Sequence, residues 1–222
     1  MMQEKKLTLV RDRYGIKPLY FCYDGKQYQF ASEIRSLAGS ERQDLTAEAV
    51  ATYLSFGHLP ASGKLINQIT ALPAGFLMEI DQQAIAVEPR RWYRPAIEMI
   101  ATPGNTEDVT QHVRKLVEIS VKEHLLSDVP IGCFLSGGID SSILALTAAR
   151  MSQERVATFT VGFPNEGFDE RVIAREVATL AGTEHHEIEI SHDTCLNWVT
   201  ESVAKMDRPS VDAINTFIVC KA

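Results

Sequence analysis

The sequence is poor in cysteine. Its 222 residues contain four, Cys22, Cys133, Cys195 and Cys220, which are scattered along the chain with no Cys-x-x-Cys pair. Free thiols in a reducing cytoplasm are the simplest interpretation of such a pattern. We therefore expect a cytoplasmic protein.

Long apolar runs and an excess of positive charge are also missing. No apolar run approaches the roughly 18 residues of a transmembrane helix, and no secretory apolar segment follows the N-terminal residues. The net charge of −7 gives no general attraction for nucleic acid or acidic lipid. We expect neither a nucleic-acid nor a membrane partner, and the oligomeric state stays open.

A third absence concerns the stretch Ser136–Ser142, which reads Ser-Gly-Gly-Ile-Asp-Ser-Ser. It contains no lysine and lacks the Gly-x-x-x-x-Gly-Lys-Ser/Thr spacing, so it is not the usual nucleoside-triphosphate loop. The apolar run Val129–Leu135 precedes it and predicts a core strand, and the helix-like run Ser142–Arg150 follows it. Strand, glycine turn and helix in this order place bare backbone N–H groups where an anion can bind.

Asp140 narrows the chemistry of this loop. A carboxylate in the first turn suits the helix dipole, but it would repel a polyphosphate unless a cation lay between them. Mg²⁺ held by one carboxylate and by phosphate oxygens is a common arrangement. The residues therefore indicate a cradle for pyrophosphate and Mg²⁺, and the alternative is a serine-rich N-cap and tight turn without a ligand.

The second half of the chain alternates strand and helix patterns. The long amphipathic helix from Asp108 precedes the loop. Predicted strands cover 156–163 and 184–190, and predicted helices cover 169–181 and 193–206. Such alternation favours a parallel sheet, which binds ligands beyond the carboxyl ends of its strands. Leu135-Ser136 and Val161-Gly162 lie at two such ends, so a ligand is expected across them.

The first half is rich in hairpin signals. Strands are predicted at 6–10, 19–23 and 27–31, with Asp24-Gly25 as a hairpin turn. Short helices are predicted at 33–38 and 45–54, the second capped by Thr46. A turn and strand within 69–80 and a short strand at 84–87 follow, and residues 94–106, with two prolines and a glycine, predict a linker.

Three histidines could be mistaken for functional ligands. His185 and His186 are adjacent on a predicted strand, so their rings should point to opposite faces and should not share a metal. His58 has no second ligand-type residue close by in the sequence and is interpreted as a loop histidine.

Ser136–Ser142 resembles the SGGxDS loop of the ATP pyrophosphatase family. Those enzymes cleave ATP between its α and β phosphates, adenylate a carboxylate or similar oxygen, and let a nitrogen or sulfur nucleophile displace AMP. The loop alone does not choose among asparagine, GMP and NAD synthetases and tRNA-modifying enzymes.

Two further segments make the resemblance specific. Arg11–Tyr20 reads Arg-Asp-Arg-Tyr-Gly-Ile-Lys-Pro-Leu-Tyr, and Phe30–Leu37 reads Phe-Ala-Ser-Glu-Ile-Arg-Ser-Leu. Both resemble the closing part of a class II glutamine amidotransferase domain, which precedes the SGGxDS loop in glutamine-hydrolysing asparagine synthetases. The resemblance covers nearly the whole chain.

The resemblance implies a combined α/β and α+β fold. Residues 1–93 would be the C-terminal part of the amidotransferase α+β domain, and 94–106 the linker. Residues 107–222 would be the N-terminal part of a synthetase domain with a parallel, adenine nucleotide α-hydrolase-like sheet.

The resemblance also implies the ligands. The substrates would be ATP, glutamine and an acceptor carboxylate, with Mg²⁺ held by Asp140, and the product would be an amide, formed with AMP and pyrophosphate. The residues implied to contact the nucleotide are Leu135, Ser136, Gly137, Gly138, Ile139, Asp140, Ser141, Ser142, Val161 and Gly162.

The chain departs from the family pattern at several points. The family's glutaminase nucleophile is an N-terminal cysteine, whereas this chain starts Met1-Met2, so we expect an internal fragment that carries no catalytic residue for glutamine hydrolysis. Residues 207–212, Asp-Arg-Pro-Ser-Val-Asp, resemble the Asp-x-Pro-x-x-Asp segment of one branch of the family. Aspartate is the expected acceptor; a polysaccharide or a β-lactam precursor as acceptor, and a non-catalytic ATP-binding fragment, are the alternatives.

Overall fold

A computed structural model of the chain describes residues 6–39, 44–59, 62–66, 68–81, 87–95, 105–163 and 169–222. The chain forms two compact units. Unit 1 consists of Met1–Glu98 and Ser202–Asn215, and unit 2 of Met99–Glu201 and Thr216–Ala222. Within the described ranges, no helix combines the length and the apolar character needed to cross a membrane.

Unit 1 is built on two antiparallel sheets. One has the strand order β1-β6-β7, and the other has the order β3-β2-β5-β4. The strands are β1 (Lys6–Val10), β2 (Tyr20–Tyr23), β3 (Tyr28–Ala31), β4 (Gly63–Ile66), β5 (Ile69–Ala71), β6 (Phe76–Asp81) and β7 (Arg90–Arg91).

Turn chemistry in the sequence explains the β2–β3 hairpin. Gly25 adopts a positive φ of 90°, which glycine tolerates without steric cost. The Asp24 carboxylate accepts hydrogen bonds from the amides of Lys26 (2.8 Å) and Gln27 (2.9 Å). These contacts fix the register in which Tyr20 pairs with Ala31.

Capping residues likewise set the bounds of α2 (Ala47–Phe56). The Thr46 hydroxyl accepts a hydrogen bond from the amide of Ala49 at 3.1 Å. Gly57 ends the helix in the left-handed conformation, with φ of 73°. A shorter helix, α1 (Arg35–Ala38), also belongs to unit 1.

The late stretch of unit 1 is hydrogen-bonded to residues from early in the chain. The Asp207 carboxylate accepts from the amides of Ile34 (2.8 Å) and Arg35 (3.0 Å), where α1 begins. The amide of Val211 donates to the carbonyl of Gly57 at 2.9 Å. Residues 202–215 are therefore part of the fold of unit 1.

Unit 2 contains a parallel sheet with the order β10-β9-β8, so strands that follow one another along the chain are neighbours. Its strands are β8 (Gly132–Phe134), β9 (Ala157–Gly162) and β10 (Glu184–Glu189). The helices within it are α3 (Thr106–His124), α4 (Ile139–Met151) and α5 (Arg171–Ala181), and α6 (His192–Lys205) and α7 (Val211–Lys221) divide between the units.

Small buried residues bring the helices of unit 2 close to its sheet. One cluster joins Leu135 to Ala145 of α4 and to Ala174 and Ala178 of α5. Alanine at these positions lets the helix backbones approach, and burial of the apolar area stabilises the unit at about 25 cal/mol per Å². Leu135, which directly precedes the loop at 136–142, is therefore held firmly.

The predicted fold class is confirmed, because antiparallel sheets form unit 1 and a helix-covered parallel sheet forms unit 2. The run Val129–Leu135 departs from the prediction of a buried strand: β8 has only three residues, and Phe134 is 53% exposed. Phe134 lies in register with Phe159 and His186, and His186 is exposed too, so this face of the sheet is open to solvent. Strand β4 and helix α7 were not predicted; the predicted strand at 84–87 and the linker lie mostly outside the described residues.

Candidate functional site

Leu135 anchors the serine- and glycine-rich loop to the carboxyl edge of the parallel sheet. Its side chain is 1% exposed. Its amide donates to the carbonyl of Phe159 on β9 at 2.9 Å, and its carbonyl accepts a hydrogen bond from the Thr160 hydroxyl. The loop therefore leaves the sheet from a fixed point.

The serine hydroxyls bind one another across the loop. The hydroxyl oxygens of Ser136 and Ser141 are 3.0 Å apart, and the Ser136 amide donates to the Ser141 hydroxyl at 3.3 Å. The Ser141 hydroxyl also donates to the carbonyl of Gly138 at 3.1 Å, and the Gly138 amide donates to the Ser136 hydroxyl at 3.4 Å. This network gives the loop a defined shape without a ligand.

Gly137 is required by two features of the loop. Its φ of 77° lies in the left-handed region that favours glycine. A Cβ atom at this position would lie 3.0 Å from the Cβ of Ile173 and 3.1 Å from the amide nitrogen of Ala174. The first turn of α5 thus packs directly against the turn of the loop.

The N-terminus of α4 follows immediately. Gly138 is its N-cap. Because glycine has no side chain, the N-cap residue makes no side-chain hydrogen bond to the helix end. The first N–H groups of a helix lack intrahelical partners, so they are available to an anion. Ile139 is 79% exposed, which leaves this helix end open to solvent.

Asp140 lies in the first turn of α4 and is exposed. Among the residues that the structure describes, its carboxylate makes no hydrogen bond and no ion pair. A free, solvent-facing carboxylate next to an anion-binding helix end fits one protein ligand of Mg²⁺, which takes its remaining oxygens from phosphate and water.

Val161 and Gly162 occupy the end of β9, as the sequence predicts. Val161 is half-buried and Gly162 is buried. A Cβ atom at position 162 would lie 2.2 Å from Nε of Arg171 and 2.3 Å from its Cδ. Glycine is therefore required here by the side chain that crosses it, whereas its backbone is not in a positive-φ conformation.

Arg171 was not predicted from the sequence as part of the site. Its Nε and Nη2 donate to the two carboxylate oxygens of Asp169 at 2.9 and 2.7 Å, and its Nη1 donates to Glu189 at 2.8 Å. The hydrogen bonds from Arg171 lower the pKa of Asp169, and those to Asp169 and Glu189 raise the pKa of Arg171. The only sequence signal was an arginine two residues after an aspartate, at the start of a predicted helix.

The two adjacent histidines of β10 point to opposite faces, as predicted. His185 Nδ1 lies 3.0 Å from the Thr158 hydroxyl, and burial lowers the pKa of its ring. His186 stacks on Phe159 with ring centroids 5.1 Å apart. Within the described ranges, no group of three potential metal ligands is present.

The segment Arg11–Tyr20 forms a tightly bonded turn. Arg11 is 6% exposed and donates to the carbonyls of Leu72 (2.6 Å), Gly15 (2.9 Å) and Lys17 (3.1 Å). The Asp12 carboxylate accepts a hydrogen bond from the Lys17 amide at 2.9 Å, and this bond is the main cause of the lowered pKa of Asp12. Residues 11–17, the first part of the amidotransferase-like segment, therefore form a turn of unit 1.

His58, Trp92 and the four cysteines lie outside the loop. His58 pairs with Ser210 in an isolated β-bridge, and its Nδ1 lies 2.9 Å from the carbonyl of Leu59. Trp92 donates from its indole to the carbonyl of Arg11 at 3.2 Å. The four cysteines are unpaired.

A groove of about 380 Å³ lies between α3, α4 and β8. Its lining is mostly apolar: Ser120, Val121, His124, Leu125, Ile131, Gly132, Cys133, Leu144 and Ala148. No residue of the loop 136–142 lines it, so the groove is separate from the candidate site.

Two family comparisons match the two halves of the sequence. The asparagine synthase family matches residues 112–222, half of the chain. The glutamine amidotransferase domain family matches residues 2–93.

Curated relatives match over almost the whole chain. The chain is 33% identical to glutamine-hydrolysing asparagine synthetase 1 of Bacillus subtilis, over 95% of this chain and 33% of that protein. It is 30% identical to asparagine synthetase B of Escherichia coli, over 95% of this chain and 35% of that protein. The chain thus spans about a third of the length of the curated relatives that it matches.

Among solved structures, an NH3-dependent NAD synthetase from Campylobacter jejuni is similar over 52% of this chain and 47% of that chain. The two are 18% identical, and the TM-score is 0.34, a likeness too weak to support a conclusion.

Proposed function

The chain belongs to the asparagine synthase family, and we propose that it is a portion of a glutamine-hydrolysing asparagine synthetase whose unit 2 binds Mg-ATP. One observation carries the proposal: a preformed loop of serine hydroxyls and bare amides opens onto the N-terminus of α4 at the carboxyl edge of a parallel sheet. Such edges are where ligands of open α/β sheets bind.

The pyrophosphate of ATP would lie in this loop. The amides around Gly137, Gly138 and Ile139, together with the hydroxyls of Ser136, Ser141 and Ser142, supply the donors. Negative charge develops on the leaving pyrophosphate when the α-phosphorus is attacked, and fixed donors stabilise charge that develops in the transition state. The mutual hydrogen bonds of Ser136 and Ser141 support this role by holding the loop in a defined shape, and each hydroxyl would turn its single proton to a phosphate oxygen when the ligand binds.

Asp140 would hold Mg²⁺ against the phosphate oxygens. When bound, the ion neutralises phosphate charge and polarises the phosphoryl group. The exposed carboxylate of Asp140 and its place in the first turn of α4 suit this task. Leu135, Val161 and Gly162, at the ends of β8 and β9, would contact the adenosine.

The complete protein would carry out a ligase reaction in the cytoplasm. Ammonia released from glutamine would displace AMP from an adenylated carboxylate and form an amide. The names of the curated relatives favour aspartate as that carboxylate and asparagine biosynthesis as the role. The proposed domain bounds are 1–93 for the amidotransferase part, 94–106 for the linker and 107–222 for the synthetase part.

Two alternatives share the ATP site. The Asp-x-Pro-x-x-Asp pattern at 207–212 favours a relative that amidates a different acceptor, such as a polysaccharide or a β-lactam precursor. A chain that binds ATP without completing the reaction is the second. Incubating the full-length protein with Mg-ATP, glutamine and aspartate separates them, since only the asparagine synthetase releases AMP in proportion to asparagine.

The metal role of Asp140 is tested by Asp140→Ala. We expect Mg-ATP to bind at least about tenfold more weakly, a change of ~1.4 kcal/mol, with a much smaller change for ATP in the presence of a chelator. Isothermal titration calorimetry measures both affinities. Asp193→Ala is the matched control, because Asp193 is also an exposed acidic residue in the first turn of a helix, α6. Equal weakening of the two ATP forms by Asp140→Ala would exclude the metal role.

A further inference from the structure

The first turn of α5 touches two parts of the candidate ATP site at once. Ile173 and Ala174 pack against Gly137 in the loop, and Arg171 lies across Gly162 at the end of β9. This contact leaves no room for a larger residue at either glycine, since a Cβ atom there would lie 3.0 Å or less from an α5 side chain. The position of this turn therefore sets how the loop and the strand end are placed.

Arg171 is the residue that fixes the turn. Its guanidinium forms a two-pronged pair with Asp169, on the chain entering α5, and a further hydrogen bond to Glu189, the last residue of β10. Glu189 is paired in register with Gly162. The arginine thus ties the helix start to the ends of two neighbouring strands.

The arrangement is partly shielded from water. The Arg171 side chain is 17% exposed, and those of its partners Asp169 and Glu189 are 31% and 59% exposed. A planar fork that pairs two-pronged with a carboxylate fixes direction as well as distance, which a lysine ammonium cannot do. The contact is therefore directional.

We propose that Arg171 is a positioning residue of the ATP site, which holds the first turn of α5 against Gly137 and Gly162 and so keeps the loop 136–142 in its binding shape. This inference rests on the proposed function. Arg171 itself need not touch the nucleotide, because it acts through the backbone of the two glycines.

The same helix offers a matched control. One turn further along α5, Arg175 donates from Nε and Nη2 to the two carboxylate oxygens of Glu187, both at 2.6 Å. This pair also joins α5 to β10, and Glu187 is two residues from Glu189. The atoms nearest to a Cβ at Gly137 or Gly162 belong to Ile173, Ala174 and Arg171, not to Arg175 or Glu187.

The experiment compares Arg171→Gln, Arg171→Lys and Arg175→Gln in the complete chain by Mg-ATP titration and by amide hydrogen exchange. Arg171→Gln should weaken Mg-ATP binding by about 10- to 100-fold, the range found for residues that hold metal ligands in place. Arg171→Lys should recover only part of the affinity. Arg175→Gln should change the affinity by less than about twofold, as expected for an exposed ion pair.

General destabilisation would quicken exchange at protected amides throughout unit 2, so faster exchange confined to the loop is the informative readout. The amides of Ser136, Gly138 and Ser142, which donate hydrogen bonds within the loop, should exchange faster in both Arg171 variants and at the wild-type rate in Arg175→Gln. If Arg171→Gln does not fold, Arg171→Lys decides the matter by the same two measurements. Wild-type affinity and exchange in the folded Arg171 variants would overturn the inference, whereas a wild-type chain that binds no Mg-ATP would overturn the proposed function instead.

Discussion

Gly137 and Gly138 are neighbours, yet the structure gives them different requirements. Gly137 has a φ of 77° and is in tight contact with Ile173, whereas Gly138 has a φ of −69° and its nearest neighbour, the Ser136 hydroxyl, would be 3.4 Å from a Cβ atom. Gly137→Ala should lower the free energy of unfolding by about 1–3 kcal/mol, the usual cost of a strained backbone position. Urea unfolding measures the change.

Gly138→Ala is the control for that substitution. It should cost no more than about 1 kcal/mol, because it replaces a glycine N-cap by alanine without steric conflict. Equal costs for the two variants would show that the φ angle and the contact with α5 are not what constrains Gly137.

His185 makes the stability of unit 2 depend on pH. Burial lowers the pKa of its ring in the folded state, and Nε2 is buried with no hydrogen-bond partner in the described part of the chain. The unfolded state then binds more protons than the folded state, so stability falls as the pH drops below about 6.5. Glu187, whose Oε1 is 3.6 Å from Nε2, offsets part of this loss.

The prediction is tested with His185→Gln, which keeps a polar group for Thr158 but does not titrate. Between about pH 7.5 and about pH 5.5, on either side of the reference value for histidine, the midpoint of thermal unfolding should fall less in the variant than in the wild type. Parallel curves for the two proteins would assign the pH dependence to other groups.

At the scale of elements, α1 is capped by a residue from far along the chain. Asp207 accepts hydrogen bonds from the amides of Ile34 and Arg35, 173 and 172 residues away, and its side chain is 20% exposed. Asp207→Ala should lower the free energy of unfolding by about 0.5–2 kcal/mol, the range for loss of an N-cap. Amide hydrogen exchange should quicken at these two amides.

Asp24→Ala provides a comparison, since Asp24 also accepts from two amides but within its own hairpin. It should leave exchange at Ile34 and Arg35 at the wild-type rate. Unchanged exchange at these amides in Asp207→Ala would mean that the contact does not persist in solution.

Elements with local signals were predicted well from the sequence. Thr46 and Gly57 delimit α2, and Gly182 ends α5 with a φ of 68°, because caps act over a few residues. The burial of β8 could not be predicted, since the exposure of Phe134 depends on whether another element covers its face of the sheet. The apolar composition of 129–135 is compatible with a buried strand and with an exposed one.

The candidate site shows the same division between local and distant causes. The loop Ser136–Ser142 and its place between a strand and a helix were evident from the sequence. The reason for Gly162 was not, because Arg171 reaches it from a different element and through contacts with Asp169 and Glu189. The nucleotide contacts of these residues remain a prediction.

For the whole molecule, the sequence predicted two parts with different sheet types, and the structure has two such units. It did not predict that residues 202–215 join unit 1, since hydrogen bonds between residues so far apart leave no periodic signal. The domain bounds at 93 and 107 follow the sequence motifs and stay a prediction.

The membership of residues 202–215 in unit 1 has a consequence for biosynthesis. A ribosome makes the chain from its N-terminus, and nascent domains generally fold in that order. The carboxylate that binds the Ile34 amide is translated 173 residues after it. Unit 1 can therefore form these hydrogen bonds only after residues 202–215 have been synthesised, although most of its residues leave the ribosome much earlier.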